Sequence, residues 1–480
     1  MHRYPGWLPM IRTSVTLCIA AALSACGVPQ DSAPTEPQAE AKRGARLESL
    51  VAISSPSPFA PQGCGQPENP IYATLPDDVD GGDGTEFGDE ADLSLVANPA
   101  DSRHLVAAWV QDAGLGIVTA TSFDGGKTWQ RVAVPDLSFC TGAEEERHLH
   151  TRLAFGPDDR IYLSTEADDG FFPDPRQPVT QRIPVAHSVD GGASWNTSFV
   201  DDGGVNDAFK GLSTIAAEPD MPGAALVAWH VGEPQLATGK VLVSRTTDGG
   251  ESWTRHVVRS GSADDLPFNR ILALRNGDLL MFTADNSVRA FAAAGSPAAP
   301  AKAFFVQRSI DKGVSWSEPV AISTDAAGQW PAAAEGPDGR VYASWVGTNG
   351  AQNVAASVDH GATWRVLATN VARPDHSLGP SLAVNEDGAL GIVYTDHRNA
   401  AAEAPVQQRD TWLAYSTDRG ATWQELHLAS HQLLDRDLGL LQETIASRHG
   451  FAAVFVAGPP LAQNGHSDAF FVSIQILGKP

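Results

Sequence analysis

Several stretches of the sequence gather side chains that could do chemistry. Tyr394-Thr395-Asp396-His397-Arg398-Asn399, followed by Asp410, brings carboxylates close to a guanidinium. Asp396 and Arg398 would pair with one another or with Asp410, as a structural pair or as a ligand contact. Glu144-Glu145-Glu146-Arg147-His148-Leu149-His150 mixes acids with two histidines on one strand face. Such a stretch could ligate a metal or form a solvated acidic loop. Asp78, Asp80, Asp83 and Glu86 could bind Ca²⁺, although their spacing is not that of an EF-hand loop; no other cofactor is expected. Asp264, Asp265 and Glu443 are candidates for the two facing carboxylates that a glycosidase or a lyase would need. Trp330, Phe171 and Phe172 could stack on a sugar or meet a protein.

These residues need a scaffold, and the scaffold is written in a repeat. Ser122-Phe123-Asp124-Gly125-Gly126-Lys127-Thr128-Trp129 recurs five times, with aspartates at Asp190, Asp248, Asp311, Asp359 and Asp418. The shared pattern is [Ser/Thr]-x-Asp-x-Gly-x-[Ser/Thr]-Trp. The carboxylate can accept backbone hydrogen bonds from the turn, and the glycine supplies a positive φ. The tryptophan opens the next strand and covers the turn. The six stretches resemble the Asp box, or BNR repeat, of the sialidase superfamily and other β-propellers. The resemblance implies a structural role for these six aspartates, at outer turns away from any active site.

Successive box aspartates lie 66, 58, 63, 48 and 59 residues apart. Each interval parses into the same four strands: Ala91–Asn98, His104–Val110, Gly116–Phe123 and Trp129–Val134 for the first. Glycine (45) and proline (33) are abundant and helical periods are few, so the fold class is all-β. Four-stranded antiparallel units in series are propeller blades. After the sixth box, Leu441–Ala446, Phe451–Ala457 and Asp468–Ile476 supply three strands without a box. This predicts seven blades, with six as the alternative. A strand from the N-terminal region, Leu50–Ser54 or Ile71–Leu75, would close the ring without an exposed edge.

The N-terminus predicts export. Arg3 and Arg12 precede an apolar run that is too short to span a membrane. Leu23-Ser24-Ala25-Cys26 resembles the lipobox of bacterial lipoproteins, which implies lipidation at Cys26. Gly27 in place of Asp implies the outer rather than the inner membrane of a Gram-negative bacterium. The expected organisation is a signal peptide over 1–25, a lipidated cysteine and flexible tether over 26–66, and the propeller over 67–480. Cys64 and Cys140 remain as an even pair in an oxidising compartment and predict a disulfide.

The chain carries 33 basic and 57 acidic side chains, a formal charge of −24. Such a surface repels phosphate backbones, so nucleic acid is not an expected partner. A glycan or an envelope protein is expected, membrane contact is expected only through the lipid, and the chain is expected to be a monomer.

The resemblance also specifies chemistry. Sialidases hold the substrate carboxylate with an arginine cluster and use a tyrosine nucleophile activated by a glutamate, with an aspartate as acid/base. Phe268-Asn269-Arg270-Ile271 begins an innermost strand, as the family's first arginine strand does, but has an inserted Asn and lacks the Pro. Gln181-Arg182-Ile183-Pro184 has the letters but sits on a third strand. The resemblance therefore implies Arg270, Arg152, Arg398 and Trp330 as substrate-binding residues. It implies Tyr394, Glu443 and Asp265 as catalytic ones. The expected function is carbohydrate engagement, with exo-glycosidase activity of the sialidase type. The alternative is a non-catalytic scaffolding propeller.

Overall fold

The computed structural model describes residues 44–59 and 90–477, except 113, 115, 144–146, 169–180, 202–208, 234–237, 263–267, 285–301, 327–329, 369–370, 372–380, 397, 400–406, 434–442 and 463–466. Seven four-stranded antiparallel sheets follow one another along the chain. A single strand, β1 (Ala45–Ala52), comes first. Blade one is β2 (Glu90–Ala97), β3 (Leu105–Gln111), β4 (Gly116–Ser122) and β5 (Gln130–Ser138). Blade two is β6 (Arg147–Phe155), β7 (Ile161–Asp168), β8 (Gln181–Ser188) and β9 (Asn196–Asp201). Blade three is β10 (Phe209–Ala217), β11 (Ala225–Glu233), β12 (Thr238–Thr246) and β13 (Thr254–Ser262). Blade four is β14 (Phe268–Ala273), β15 (Leu279–Ala284), β16 (Lys302–Ser309) and β17 (Val320–Ala326). Blade five is β18 (Ala332–Glu335), β19 (Val341–Val346), β20 (Gln352–Ser357) and β21 (Arg365–Ala368). Blade six is β22 (Ser381–Val384), β23 (Leu390–Asp396), β24 (Gln407–Ser416) and β25 (Gln424–Leu433). Blade seven is β26 (Glu443–Ser447), β27 (Gly450–Ala457) and β28 (Asp468–Ile476), completed by β1.

The closing strand differs from expectation in position. β1 pairs with β28 from Ala45↔Ile476 to Ala52↔Phe470. It therefore lies five residues upstream of Leu50–Ser54 at its start, and the alternative at Ile71–Leu75 falls outside the described residues. The propeller takes in residues 45–52, which composition alone assigns to the tether, so the boundary at 66 is corrected. The reason is non-local. A lone edge segment gains its register only from the partner strand it completes.

Each blade buries side chains on both faces, and the ring shows this directly. One apolar cluster joins blades seven and one through Leu93, Leu95, Val454 and Phe471. Six more join each successive pair round to blades six and seven. Seven interfaces for seven blades leave no open seam in the barrel of sheets.

The boxes close the third turn of blades one to six. Asp124 Oδ1 accepts from Lys127 N (3.0 Å), Thr128 N (2.9 Å) and Ser122 Oγ (2.8 Å), while Oδ2 accepts from Thr128 Oγ1 (2.7 Å). Ser122 Oγ accepts from Gly126 N (2.8 Å), and Trp129 Nε1 donates to Gly126 O (3.0 Å). These donors hold the Asp124 carboxyl down at about 2. Asp190, Asp248, Asp311, Asp359 and Asp418 likewise accept from the hydroxyl four residues on. The second glycine is fixed by its neighbour: a Cβ on Gly126 would lie 2.1 Å from the Phe471 ring. The preceding position is freer, since Lys312, His360 and Arg419 hold it at φ near 60°.

The boxes and the first hairpins of the blades share one face, joined by Gly125 N to Arg103 O (3.0 Å) and Gly249 N to Gly223 O (2.9 Å). The N-terminal ends of the innermost strands therefore open on the opposite face, the mouth.

Candidate functional site at the propeller mouth

Three innermost strands carry the same distortion. β2 shifts register between Ala91 and Ser94, β6 between Leu149 and Arg152, and β10 between Gly211 and Thr214. At each bulge one residue turns left-handed: Asp92 (φ 52°), His150 (φ 54°) and Leu212 (φ 58°). Non-glycine residues in this region cost about 1–2 kcal/mol each, so the device needs compensation. Hydrogen bonds between blades supply it. Asp92 Oδ2 accepts from His150 N (2.9 Å), Ser94 Oγ from Leu153 N (3.0 Å), and Glu166 Oε1 from Ser213 N (3.1 Å). The bulges re-aim the side chains that follow them.

Glu443, at the start of β26, ties three blades together. Its Oε2 accepts from Ser94 Oγ (2.5 Å) and Leu95 N (3.2 Å), and its Oε1 from Arg270 Nη2 (2.9 Å). Burial works to raise this carboxyl, but Arg270, Arg152 and the Ser94 hydroxyl outweigh it and hold it below the usual range. Arg270 thus reaches from blade four to blade seven. Arg152 stands beside this bridge, only 6% exposed. Its Nη1 donates to Thr151 O (3.1 Å), and its guanidinium lies 4.9 Å from the centroid of the Trp330 ring. Burial lowers its pKa, and Glu443 partly restores it. Among the described residues no carboxylate comes within ion-pair distance of Arg152.

Trp330, just before β18, comes from blade five to meet blades two and four. Its ring centre is 5.4 Å from that of His150 and 4.6 Å from that of Phe268, and Leu212 completes the cluster. His150 Nδ1 lies 3.1 Å from Glu166 Oε2. Burial works against protonation of His150, but Glu166 and Asp92 prevail and push it up to about 9. The mouth therefore holds three cations, His150, Arg152 and Arg270, against the carboxylates of Asp92, Glu166 and Glu443. Chemically it offers guanidinium donors, an ionised carboxylate, a protonated imidazole and an aromatic wall.

Arg152, Arg270, Glu443 and Trp330 of the expected set are brought together. Tyr394 and Arg398 are not; they lie in blade six. Tyr394 is fully buried among apolar side chains of blades five and six. Its hydroxyl bonds Glu425 and accepts from Arg398 Nη2 (2.8 Å). Burial and the Glu425 bond drive its phenol pKa sharply upward, the opposite of an activated nucleophile. Arg398 bonds Asp396 and Glu425 (Nη1–Oε2 2.8 Å) and stacks 4.2 Å over Trp412. Asp410 is held by Asn399, Ser430 and His427. Asp264 and Asp265, as well as Cys26, Cys64 and the stretch from Asp78 to Glu86, lie outside the described residues. Cys140 is disulfide-bonded, and its partner also lies outside them.

Asp92, Ser94, His150 and Glu166 were not singled out as a group by sequence. The alternation His148, His150, Arg152 put His150 and Arg152 on one strand face and was the available signal. Among the described residues no group of three or more His, Cys, Asp or Glu could hold a metal. His148 is fully buried, and burial lowers it to about 3.

The BNR/Asp-box repeat model matches residues 120–131. With the seven-bladed ring, this decides the architecture. The chain is an Asp-box β-propeller. No curated protein sequence matches it. Among solved structures, the Asp-box propeller is similar to a protein of unknown function from Dyadobacter fermentans. The identity is 15% and the TM-score 0.50, over 90% of this chain and all of that one. A leech intramolecular trans-sialidase is similar at 13% identity and TM-score 0.43, over 64% of each chain. An α-L-arabinofuranosidase of Fusarium graminearum is similar at 18% identity and TM-score 0.44, over 64% of this chain and 88% of that one. At 15% identity the likeness to the Dyadobacter protein carries the fold alone.

Proposed function

We propose that the mouth of the propeller engages an acidic sugar, with its carboxylate at Arg152 and Arg270 and its ring against Trp330. The observation that carries this reading is Arg152: a buried guanidinium, stacked on an aromatic ring, with no contact carboxylate among the described residues. A planar guanidinium matches a carboxylate bidentately. Glycoside hydrolysis in this site would not use Tyr394. Glu443, ionised beneath two arginines, would stabilise the cationic transition state or attack the anomeric carbon. His150, protonated against Glu166, would supply the proton to the leaving group. Export and lipidation at Cys26 belong to the same proposal and would present the mouth at the cell envelope.

The test is binding and hydrolysis of a fluorogenic sialoside by the chain beginning after Cys26, beside Arg152→Ala. A charge-assisted hydrogen bond is worth about 1.5–3 kcal/mol, so the variant should bind at least roughly tenfold more weakly. Equal binding by both proteins would discard the site. Binding without turnover would leave a lectin-like module rather than a glycosidase.

A scaffolding role would draw on a different face. Of the exposed large apolar side chains, Phe123, Val189, Ile310, Val314 and Val358 stand within the boxes. Protein contact at the boxes and sugar contact at the mouth are therefore separable by mutation.

A further inference from the structure

The exposed apolar side chains of this propeller gather at one rim. Phe123, Val189, Ile310 and Val358 hold the second position of boxes one, two, four and five, and Val314 the sixth position of box four. Ile310 and Val358 are 73% and 72% exposed. Blade seven has no box, yet Leu477 follows β28 at the corresponding turn and is also exposed. Five of the seven blades thus present an apolar side chain to water at the same turn. Phe199, Val257 and Val366, the other exposed large apolar side chains among the described residues, are scattered on outermost strands.

The polypeptide enters the ring at the same rim. Ile476 N donates to His449 O in the first hairpin of blade seven (3.1 Å), so β28 ends on the box face. Leu477 N donates to Gly44 O (2.7 Å), and β1 runs from there toward the mouth. The chain that carries Cys26, 18 residues before Gly44, therefore joins the propeller on the box face. A lipid on that cysteine would hold this face toward the bilayer. Charge decides which lipid the rim suits. Lys312 is matched by Asp220 (2.9 Å) and Arg419 by Asp338 (3.6 Å), and the whole chain carries −24. Such a surface repels anionic lipid, while its apolar side chains suit a neutral phospholipid.

We propose that the box rim rests on a neutral phospholipid surface, with Phe123, Val189, Ile310, Val314, Val358 and Leu477 entering the headgroup layer and the mouth turned away from it. The orientation rests on the lipidation at Cys26 proposed above; the affinity of the rim for lipid does not. Contact through the rim adds to the hold of the lipid, and it leaves the mouth open to a soluble glycan.

The test is flotation of the chain beginning after Cys26 with phosphatidylcholine vesicles at millimolar lipid, beside vesicles rich in phosphatidylglycerol. The chain should bind the first and bind the second more weakly. Thr247 and Thr417 hold the second position of boxes three and six, so threonine suits this turn. Val189→Thr, Ile310→Thr and Val358→Thr together should weaken vesicle binding at least roughly tenfold, with the denaturation midpoint unchanged. Thr247→Val with Thr417→Val completes the ring and should tighten binding about fivefold. Val257→Thr, on β13, should leave it as it is. No binding by the parent chain, tighter binding to phosphatidylglycerol, or equal losses in the triple variant and Val257→Thr would each overturn the proposal. Self-association without vesicle binding, lost in the triple variant, would overturn it in favour of a second copy of this chain. The mass of the N-terminal peptide from the cell envelope reads the lipid separately, and an unmodified Cys26 would overturn the orientation alone.

Discussion

Two clusters in this propeller have nearly the same composition and opposite characters. In blade six, Arg398, Tyr394, Asp396, Glu425 and Trp412 all come from one sheet and its adjoining loop, and every named polar group has a partner inside the cluster. At the mouth, Arg152, Arg270, Glu443, His150 and Trp330 come from three different blades and the segment before a fourth, and one guanidinium has no contact carboxylate among the described residues. The first cluster is closed on itself and reads as structure. The second is held open by a ring of scaffolding and reads as a site. Residue types alone do not separate catalysis from packing; what separates them is whether the charges are already satisfied.

The sharpest way to break this contrast is Arg398→Ala. Asp396 is fully buried, and loss of its partner leaves an uncompensated charge. Such losses cost about 3–5 kcal/mol, so chemical denaturation should show a large fall in stability with sialoside binding per folded molecule unchanged. Arg152→Ala should do the reverse, costing stability only about 1 kcal/mol through the lost stacking on Trp330 while weakening binding roughly tenfold or more. If both variants moved stability and binding together, the two clusters would not be distinct.

A smaller effect should appear with pH. His150 is pushed up to about 9, above its unfolded value near 6.5. Its contribution to stability is fully present below 6.5 and is lost as pH rises through 9. Over the same interval the mouth loses a positive charge beside Asp92, Glu166 and Arg152. Affinity for an anionic sugar should therefore fall between pH 8 and 10, on the order of tenfold at low salt. Tyr394 and Arg398 are both shifted upward and away from that window. Titration calorimetry across the window checks this, and a flat profile would remove His150 from the site.

The same contrast explains what the sequence could and could not reveal. The boxes are legible because each is a local bargain among eight consecutive residues, and six of them in register dictate the blades. The seventh blade follows from its strands, and β28 falls at the expected Asp468–Ile476. The closing strand was displaced because its position depends on pairing across some 430 residues, as in Ala45↔Ile476. Arg270 and Glu443 were each named, but nothing local joins them, for 173 residues separate the partners. Tyr394 stands apart from them for the opposite reason. Tyr-x-Asp-x-Arg is a compact local pattern, and its compactness lets the side chains satisfy one another. The left-handed bulges at Asp92, His150 and Leu212 have no shared residue type, so only the repeated register shift exposes them.

The gentlest test uses that tyrosine. Tyr394→Phe removes one hydroxyl and keeps the ring that packs between blades five and six. Glu425 retains Arg398 at 2.8 and 3.0 Å, so no carboxylate is orphaned. The loss should be that of a single hydrogen bond, about 1 kcal/mol, seen as a small shift in the denaturation midpoint. Sialoside turnover, if the chain hydrolyses it, should be unchanged. A nucleophile cannot be removed without loss of the chemical step, so a fall in kcat with KM preserved would return Tyr394 to the reaction and dissolve the distinction between the two clusters.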